Sequence, residues 1–425
     1  MNWSDRYSLR SYIRASHWIV PLLALVLQQI IFRSALALDG FLTLVPDWPL
    51  GVAGTLTALQ AIISIEASFI IFTFGSMLVA IQIAGGQLTP RVIATTLLRD
   101  NVIRLTTGLF IFSLLFAIGA VSRIEIEMPR LVVWIASFLG LVSMAAFLFL
   151  IDHAARFMRP VSIFWKVADM GIDVIESVFP EPFSEVEAPP TTLPDQHNPA
   201  RIIRHDGMSA VILAADIEGL LAEARRHDGT IVVAAQIGDF VGVGQPLFLL
   251  YGGAEAANDR KLRGCIAFGL ERTIEQDTTF AFRVVVDIAV KALSKAINDP
   301  TTAVLAMDQL QRLLRWVGER NLRNEYFFAE DGSLRLVFPT PNWGDFVHLT
   351  CREIRQYGAD SVQVSRRMRA MLVNLIKTLP DQRKPELQLE LELLDRAIDK
   401  TFDFEEDRQL ARVPDSQGLG GGSAN

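Results

Sequence analysis

The chain has 425 residues, of which 51% are hydrophobic, and its mean hydropathy is +0.31. So much apolar surface excludes an intrinsically disordered protein. The two cysteines exclude a disulfide scaffold or a multi-cysteine zinc site, and the net charge of −7 argues against a dedicated nucleic-acid binder. At about 100–200 residues per domain, the length predicts two or three domains.

Charge and hydropathy divide the chain into two parts. Residues 1–160 carry eleven Arg, no Lys and eight Asp or Glu, a balance of +3, and residues 161–425 carry a balance of −10. Most of the long apolar runs lie in the first part. The sequence therefore predicts an α-helical multipass membrane domain over residues 1–160, followed by an acidic, soluble α+β region.

Four apolar runs are long enough to consider as bilayer spans, because a transmembrane helix needs about 20 residues. They cover residues 17–32, 57–85, 105–121 and 131–151. The first run is the shortest. Together with the Arg-rich N-terminal segment and the string Ala35-Leu36-Ala37, it also resembles a secretory signal peptide with its cleavage site, which is the alternative to a first span. Cleavage would not invert the topology of the other three runs.

The arginines predict the orientation of the spans. They are frequent in the N-terminal segment, in the loop after the second run and beyond the fourth run. The opposite side carries only Arg33, Arg123 and Arg130. Because Arg and Lys collect on the cytoplasmic side, residues 1–16, 86–104 and 160–425 are predicted to be cytoplasmic, so both termini lie there.

The second run carries a polar stripe. At 100° per residue, its members share an arc about 80° wide. They are Thr57, Gln60, Ser64, Ser68, Gly75 and Gln82. Such a stripe is typical of a helix–helix seam, in which small residues allow close approach. The other interpretation is the wall of a water-filled path formed by several subunits, which predicts a homo-oligomer.

Glu66 lies on roughly the opposite face of the second run, beside Thr73. An intramembrane carboxylate is costly and is a functional candidate by default. The alternatives are a structural partner, such as Arg33 at the outer end of the first span, or protonation in place. The candidate intramembrane site residues are Glu66, Gln60, Ser64, Ser68, Gln82 and Arg33.

A linker and a β-rich module follow the spans. Residues 161–199 are predicted as a helical segment and a proline-rich linker. Residues 200–268 are predicted as a small β-barrel-like module with strands at 209–214, 230–235 and 246–251 and a helix at 217–226. The glycine-punctuated stretch 237–246 resembles the turn of biotinyl- and lipoyl-type domains, but no lysine lies at a comparable hairpin tip. No cofactor is therefore expected.

The most distinctive string is ERTIEQDTTFAFRVVVDIAVKALSKAINDPTT, at residues 271–302. With FGSMLVAIQIAGGQLTPRVI at 74–93 and IRQYGADSV at 354–362, it resembles an uncharacterised family of predicted bacterial membrane proteins, a domain of unknown function. The resemblance implies an inner-membrane protein with a cytoplasmic tail and supplies no established activity. It also marks Lys295 as a departure, because Pro or Gly is expected there. The characteristic positions are Glu271, Arg272, Gln276, Asp277, Asp287, Ser294, Asn298, Asp299 and Pro300.

These motif residues, apart from Pro300, form the candidate pocket of the soluble region, and local helix chemistry is the alternative. A helix over 280–297 would place Arg283, Asp287, Lys291 and Lys295 in an i,i+4 ladder. Asp299 is suited to be the N-cap of the next helix, with Pro300 as its first residue. If a pocket exists, a cation or a partner's basic residue would suit it better than an anion.

No catalytic motif is present, so the chain is not expected to be an enzyme. The six histidines include no pair at metal-ligand spacing, and no metal site is expected. His153, at the inner end of the fourth span, is the only one in a suggestive place, and an interfacial role is its alternative. Residues 269–405 are predicted as a helical α+β region, with helices near 345–379 and 385–404, and residues 406–425 as a disordered tail.

Two functions from different classes remain. The first is an oligomeric channel or transporter, in which the second span helps to form an ion or solute path and the acidic cytoplasmic domain assembles or gates it. The second is a membrane-anchored sensor or scaffold whose soluble domain binds a ligand or a protein. The lipid bilayer is the one partner that both functions require.

Overall fold

The computed structural model describes residues 2–16, 18–39, 46, 48–87, 89–91, 100–124, 128–157, 159–184, 198–322 and 325–419. The chain divides into two compact units. Tyr12–Gly86 and Val92–Ile163 form one, here called the membrane unit. Met1–Ser11, Gln87–Arg91 and Phe164–Asn425 form the other, here called the soluble unit.

Within the described residues, the membrane unit contains four helices that are long and apolar enough to cross a bilayer, and a shorter helix α1 (Trp3–Ala15) precedes them. The four are α2 (Ile19–Asp39), α3 (Val52–Gln87), α4 (Asn101–Ile124) and α5 (Arg130–Phe157). All four predicted spans are therefore confirmed as helices. Each is longer than its apolar run, because the helix continues into flanking polar residues that a hydropathy criterion leaves out.

Apolar side chains hold the membrane unit together. The ring of Phe32 on α2 meets that of Phe116 on α4 edge to face, with 5.3 Å between ring centroids. It also lies so close to Gly119 that a Cβ there would come within 2.9 Å of the ring. Leu59 of α3 joins the same core, and so does Ala35. The signal-like string at residues 35–37 therefore lies within a packed helix.

The soluble unit contains two β-sheets. Their strands are β1 (Arg201–Arg204), β2 (Ala210–Ala215), β3 (Gly229–Val233), β4 (Phe240–Val241), β5 (Pro246–Gly252), β6 (Ile266–Gly269), β7 (Tyr326–Phe328) and β8 (Leu334–Val337). One sheet has the order β1-β5-β3-β8-β7 and the other β4-β2-β6. In the first, Val232 lies opposite Leu249 in an antiparallel pair and opposite Val337 in a parallel pair.

The three predicted strands correspond to β2, β3 and β5, and the predicted short helix to α7 (Ile217–Arg226). Ile212, Leu220, Phe248 and Leu336 from these elements and β8 are fully buried in one apolar core. The predicted end of the β module at residue 268 is wrong, because β7 and β8 complete its larger sheet. β8 pairs with β3 and β7 pairs with β8, contacts between distant segments that local sequence does not reveal.

Helices make up the rest of the soluble unit. They are α6 (Pro160–Val178), α8 (Asp259–Arg263), α9 (Phe280–Ala292), α10 (Pro300–Gly318), α11 (Trp343–Gly358), α12 (Val362–Thr378), α13 (Lys384–Thr401) and α14 (Glu405–Ala411). The apolar helix α9 is buried against α10 and α11. Arg312 of α10 lies over the Trp165 ring of α6 at 4.6 Å and pairs with Asp169 at 2.7 Å.

Two further sequence predictions differ from this architecture. The helix expected over 280–297 ends at Ala292, because residues 293–298 form a turn in which Asn298 has φ +49°. The tail from residue 406 is not disordered over its described part: α14 is helical and Asp415 is buried, its backbone N–H bonded to the Arg366 carbonyl at 3.2 Å. Most of the predicted proline-rich linker, at 185–197, lies outside the described residues.

Candidate functional site

The polar stripe of α3 faces outward from the membrane unit. All six of its residues, from Thr57 to Gln82, are exposed. The opposite face carries Leu59, Glu66, Phe69 and Thr73, each at most 9% exposed. Among the described residues, the stripe is therefore not buried in a seam between helices of the same chain.

Glu66 is buried inside the membrane unit, with 1% of its surface exposed. Its carboxylate lies beside the hydroxyls of Ser113 on α4 and Ser143 on α5. Among the described residues, neither the carboxylate oxygens nor the two hydroxyls have a partner in hydrogen-bond geometry. We call Glu66, Ser113 and Ser143 the Glu66 cluster.

Arg33 is not the partner of Glu66. Its side chain is exposed on α2, and within the described part of the chain no ion pair joins it to the Glu66 carboxylate. The structural pairing considered from the sequence is therefore not what the structure brings together. Hydroxyls, rather than a guanidinium, surround the intramembrane carboxylate.

In the soluble unit, Arg272 and Asp277 join the β module to α9. The Arg272 Nε donates to the Gly238 carbonyl at 2.9 Å and lies 3.3 Å from Asp277 Oδ2. The other oxygen, Oδ1, accepts hydrogen bonds from the backbone N–H groups of Thr279 and Phe280, both at 3.1 Å, where α9 begins. Gly238 has φ +92°, and a Cβ there would lie 2.1 Å from the guanidinium. Only glycine fits beside this ion pair.

Gln276 and Asp277 also face a cavity. Gln276 Oε1 accepts a hydrogen bond from the Ala215 backbone at 2.9 Å, at the end of β2. Burial raises the pKa of the Asp277 carboxyl, while Arg272 lowers it in part. Both residues therefore have structural partners and still contribute to the cavity wall.

The cavity measures about 480 Å³ and lies wholly within the soluble unit. Besides Gln276 and Asp277, its wall includes Ile217, Phe327 and Phe338, and Glu218 is exposed at its edge. Apolar walls with a few polar groups, in this range of volume, are typical of sites for small ligands.

A second cluster, here called the charge network, consists of Arg91, Arg283, Asp287 and Glu353. The Arg283 guanidinium donates to both Glu353 oxygens at 2.5 and 2.7 Å and through Nε to Asp287 at 2.6 Å. Arg91 pairs with Asp287 from the other side. The hydrogen bonds from Arg283 are the main cause that lowers the pKa of the Glu353 carboxyl, and Arg91 adds to it.

The residues around Asp299 form a helix cap. Asp299 Oδ1 accepts a hydrogen bond from the Thr302 backbone at 3.0 Å, and Pro300 is the first residue of α10. The predicted cap is thus confirmed. The backbone N–H of Asp299 bonds to the Ala292 carbonyl, and the Ser294 carbonyl accepts from the backbone of Asn298, each at 2.8 Å.

The predicted soluble-domain pocket is therefore not one site. Asp277 precedes α9, and Asp287 lies about 10 Å along the helical rise from Phe280, the first residue of α9. The turn at Ser294, Asn298 and Asp299 is capped separately. Glu271 is exposed, and Lys295 lies in the turn beyond α9 rather than on a helical ladder.

The remaining candidates have structural partners. His153 Nε2 lies 3.2 Å from Asp100 Oδ1, and the same oxygen caps α4 by accepting from the Val102 backbone at 2.9 Å. Cys265 and Cys351 are buried free thiols. Burial raises the pKa of Cys265 to about 12, so the thiolate that would react is scarce.

Comparison with known families decides where the chain belongs. The family described as "Predicted membrane protein (DUF2254)" matches residues 14–374. The chain is a member of the DUF2254 family. It is similar to the uncharacterized proteins Rv1290c and MT1328 of Mycobacterium tuberculosis, with 25% and 24% identity over 95% of this chain and 80% of each relative. No solved structure matches it.

Two of the three strings that resemble DUF2254 meet in the charge network, and the third begins directly beside it. Arg91 belongs to the first string and Asp287 to the second, while Glu353 directly precedes the third. Sequence reasoning singled out Asp287 and missed Glu353, Gly238, Ser113 and Ser143. The two serines did leave a signal, since each is a hydroxyl in the middle of an apolar span.

Proposed function

We propose that this DUF2254 protein assembles in the bacterial inner membrane as a homo-oligomer, in which the α3 stripes of several copies line a path for an ion or small solute. The outward direction of the stripe is the observation that carries this proposal. Lipid tails offer no hydrogen bonds, so polar side chains such as Gln60 and Gln82 are costly where they face lipid.

The polar side chains of the stripe do not all form hydrogen bonds within α3. The hydroxyls of Ser64 and Ser68 donate to backbone carbonyls one turn back, at 2.9 and 2.8 Å. The amides of Gln60 and Gln82 have no such bond among the described residues, and nothing lies within 4 Å of a Cβ built on Gly75. Water or the α3 helix of a second copy would supply the missing partners.

The soluble region would assemble or gate this path. Arg91 follows the last residue of α3, Gln87, by four positions, and it pairs with Asp287 on α9. The chain that leaves α3 is thereby held by the charge network. A movement of α9 would therefore be transmitted to the end of α3 through the ion pair between Arg91 and Asp287.

The soluble unit and both termini would lie in the cytoplasm. Met1–Ser11, Gln87–Arg91 and Phe164–Asn425 belong to one compact unit, which supports a common side for all three segments. The arginine excess in and beside these segments favours the cytoplasmic side. The mycobacterial relatives support a bacterial membrane.

The cavity favours a second candidate function, a membrane-anchored sensor. Glu218 at its edge and its apolar walls would favour a small ligand with a positive charge and an apolar body. Thermal unfolding with small amines and their neutral analogues tests this candidate. We expect amines alone to raise the melting temperature, and the rise to shrink in Glu218→Gln.

Disulfide cross-linking tests the oligomer. In a chain with Cys265 and Cys351 replaced by Ala, we expect Ser68→Cys to form disulfide-linked dimers in native membranes. Leu141→Cys is the matched control, because Leu141 is 69% exposed on α5 but lies outside the stripe. Equal cross-linking at both positions, or none at Ser68→Cys, would contradict the proposed interface.

A further inference from the structure

We infer that the Glu66 cluster is a proton-binding site inside the membrane unit, in which Glu66 takes up and releases a proton between the hydroxyls of Ser113 and Ser143. This inference does not depend on the oligomer, because Glu66 faces the interior of one protomer whereas the stripe faces outward.

Burial and the absence of a charged partner point to a proton. Glu66 is 1% exposed, and α3, α4 and α5 each contribute one member of the cluster. A buried carboxylate without a cation beside it is so costly that it takes up a proton instead. In the part of the chain that the structure describes, the polar atoms of all three side chains are buried without a partner in hydrogen-bond geometry.

Among the described residues, no other titratable group faces the cluster. Residues 19–32 of α2, 105–122 of α4 and 131–151 of α5 contain no charged residue and no His, Cys or Tyr, and Glu66 is the only titratable residue of α3. The flanking Arg104 and Arg123 lie about 14–15 Å from Ser113 along α4. His153 and Arg130 lie about 15 and 20 Å from Ser143 along α5.

The donor set suits a proton better than a metal ion. The cluster offers two carboxylate and two hydroxyl oxygens, whereas Ca²⁺ takes six to eight oxygens and Mg²⁺ demands six in octahedral geometry. The three helices are continuous at these positions, so their backbone carbonyls are engaged in helical hydrogen bonds.

The two hydroxyls suit both states of the carboxyl group. A serine hydroxyl both donates and accepts. After a small reorientation, each hydroxyl would accept a hydrogen bond from the neutral acid and would donate one to the carboxylate once the proton has left. Ser113 and Ser143 therefore lower the cost of releasing the proton, and the site can exchange it instead of only storing it.

Labelling of the full-length protein in lipid nanodiscs with dicyclohexylcarbodiimide tests the site. The reagent adds to a protonated carboxyl: the proton moves to one nitrogen, the carboxyl oxygen bonds to the central carbon, and the acyl group then migrates to the other nitrogen. The N-acylurea product contains all atoms of both reactants and is located by peptide mass spectrometry. We expect an adduct at Glu66 that decreases as the pH rises, and none in Glu66→Gln.

The double variant Ser113→Ala/Ser143→Ala tests the role of the hydroxyls. We expect its Glu66 to remain labelled at a higher pH than Glu66 of the wild type, because the carboxylate loses its two hydrogen-bond donors. A merely structural role of the hydroxyls would leave the pH profile of labelling unchanged.

Infrared spectroscopy gives a second measurement of the proton on Glu66. We expect the carbonyl band of a neutral carboxylic acid in the wild type, and we expect Glu66→Gln to remove this band. Absence of both adduct and band, or protection from labelling by Na⁺ at constant pH and ionic strength, would overturn the inference.

Discussion

Glu66 and Ser68 lie two residues apart on α3 and face opposite surroundings. The carboxylate is buried among α4 and α5, and the hydroxyl is exposed on the outer surface of the membrane unit. Successive side chains around a helix turn by 100°, so two positions place these residues on nearly opposite faces. Helix α3 thus directs the Glu66 carboxylate into its own membrane unit and exposes the polar stripe on the outer surface of that unit.

The cap of α10 gives a prediction about stability. We expect Asp299→Ala to lower the free energy of unfolding by about 1 kcal/mol, because the Thr302 N–H loses its acceptor, and Asp299→Asn to lower it much less. Denaturant unfolding of the full-length protein measures both. Glu330→Ala is the control, since Glu330 is exposed in the turn between β7 and β8. Unchanged stability in Asp299→Ala would contradict the cap.

The contact between Gly238 and Arg272 gives a second prediction. Gly238→Ala places a side chain at φ +92° and into the guanidinium, and we expect it to lower the free energy of unfolding by about 1–3 kcal/mol or more. Gly244→Ala is the matched control, because Gly244 has φ +81° and nothing within 4 Å of its Cβ. Gly244→Ala therefore introduces the backbone strain without a clash against a neighbouring side chain. If both variants lose equal stability, the ion pair does not require a glycine.

Local chemistry was predictable from the sequence, and distant contacts were not. The Asp299 cap and strands β2, β3 and β5 follow from neighbouring residues. The bond from Arg272 to Gly238 joins residues 34 positions apart, and that from Arg283 to Glu353 joins residues 70 apart. Helical periodicity separated Glu66 from the stripe, but only the packed helices identify Ser113 and Ser143 as its neighbours.

The charge network gives a prediction about pH. The Glu353 carboxyl has a lowered pKa in the folded protein, so its ionised form adds stability above the ordinary glutamate pKa of about 4.3. That stability is lost as the pH falls through the lowered folded-state pKa. We expect Glu353→Gln to melt below the wild type at pH 7, and the difference to vanish in acid.

Melting curves between neutral and acidic pH measure this difference. Glu392→Gln serves as the control, because Glu392 is exposed on α13. A gap between wild type and Glu353→Gln that stayed constant over the whole pH range would show that the charge of Glu353 is not what stabilises the network.

Reporter fusions measure the proposed topology. We expect a reporter fused after Asn425 to behave as cytoplasmic, because it follows the Arg-rich end of the fourth span. A reporter inserted near Asp47, which lies outside the described residues, should behave as external. A periplasmic signal from the C-terminal fusion would overturn this orientation.

Electron cryomicroscopy of the full-length protein in lipid nanodiscs tests the central claim most directly, because it shows both the number of copies and what the α3 stripe faces. We expect several copies around a common axis, with Gln60 and Ser68 of each copy directed toward a continuous, hydrated path. A monomer, or an oligomer whose α3 stripes face lipid, would contradict the account.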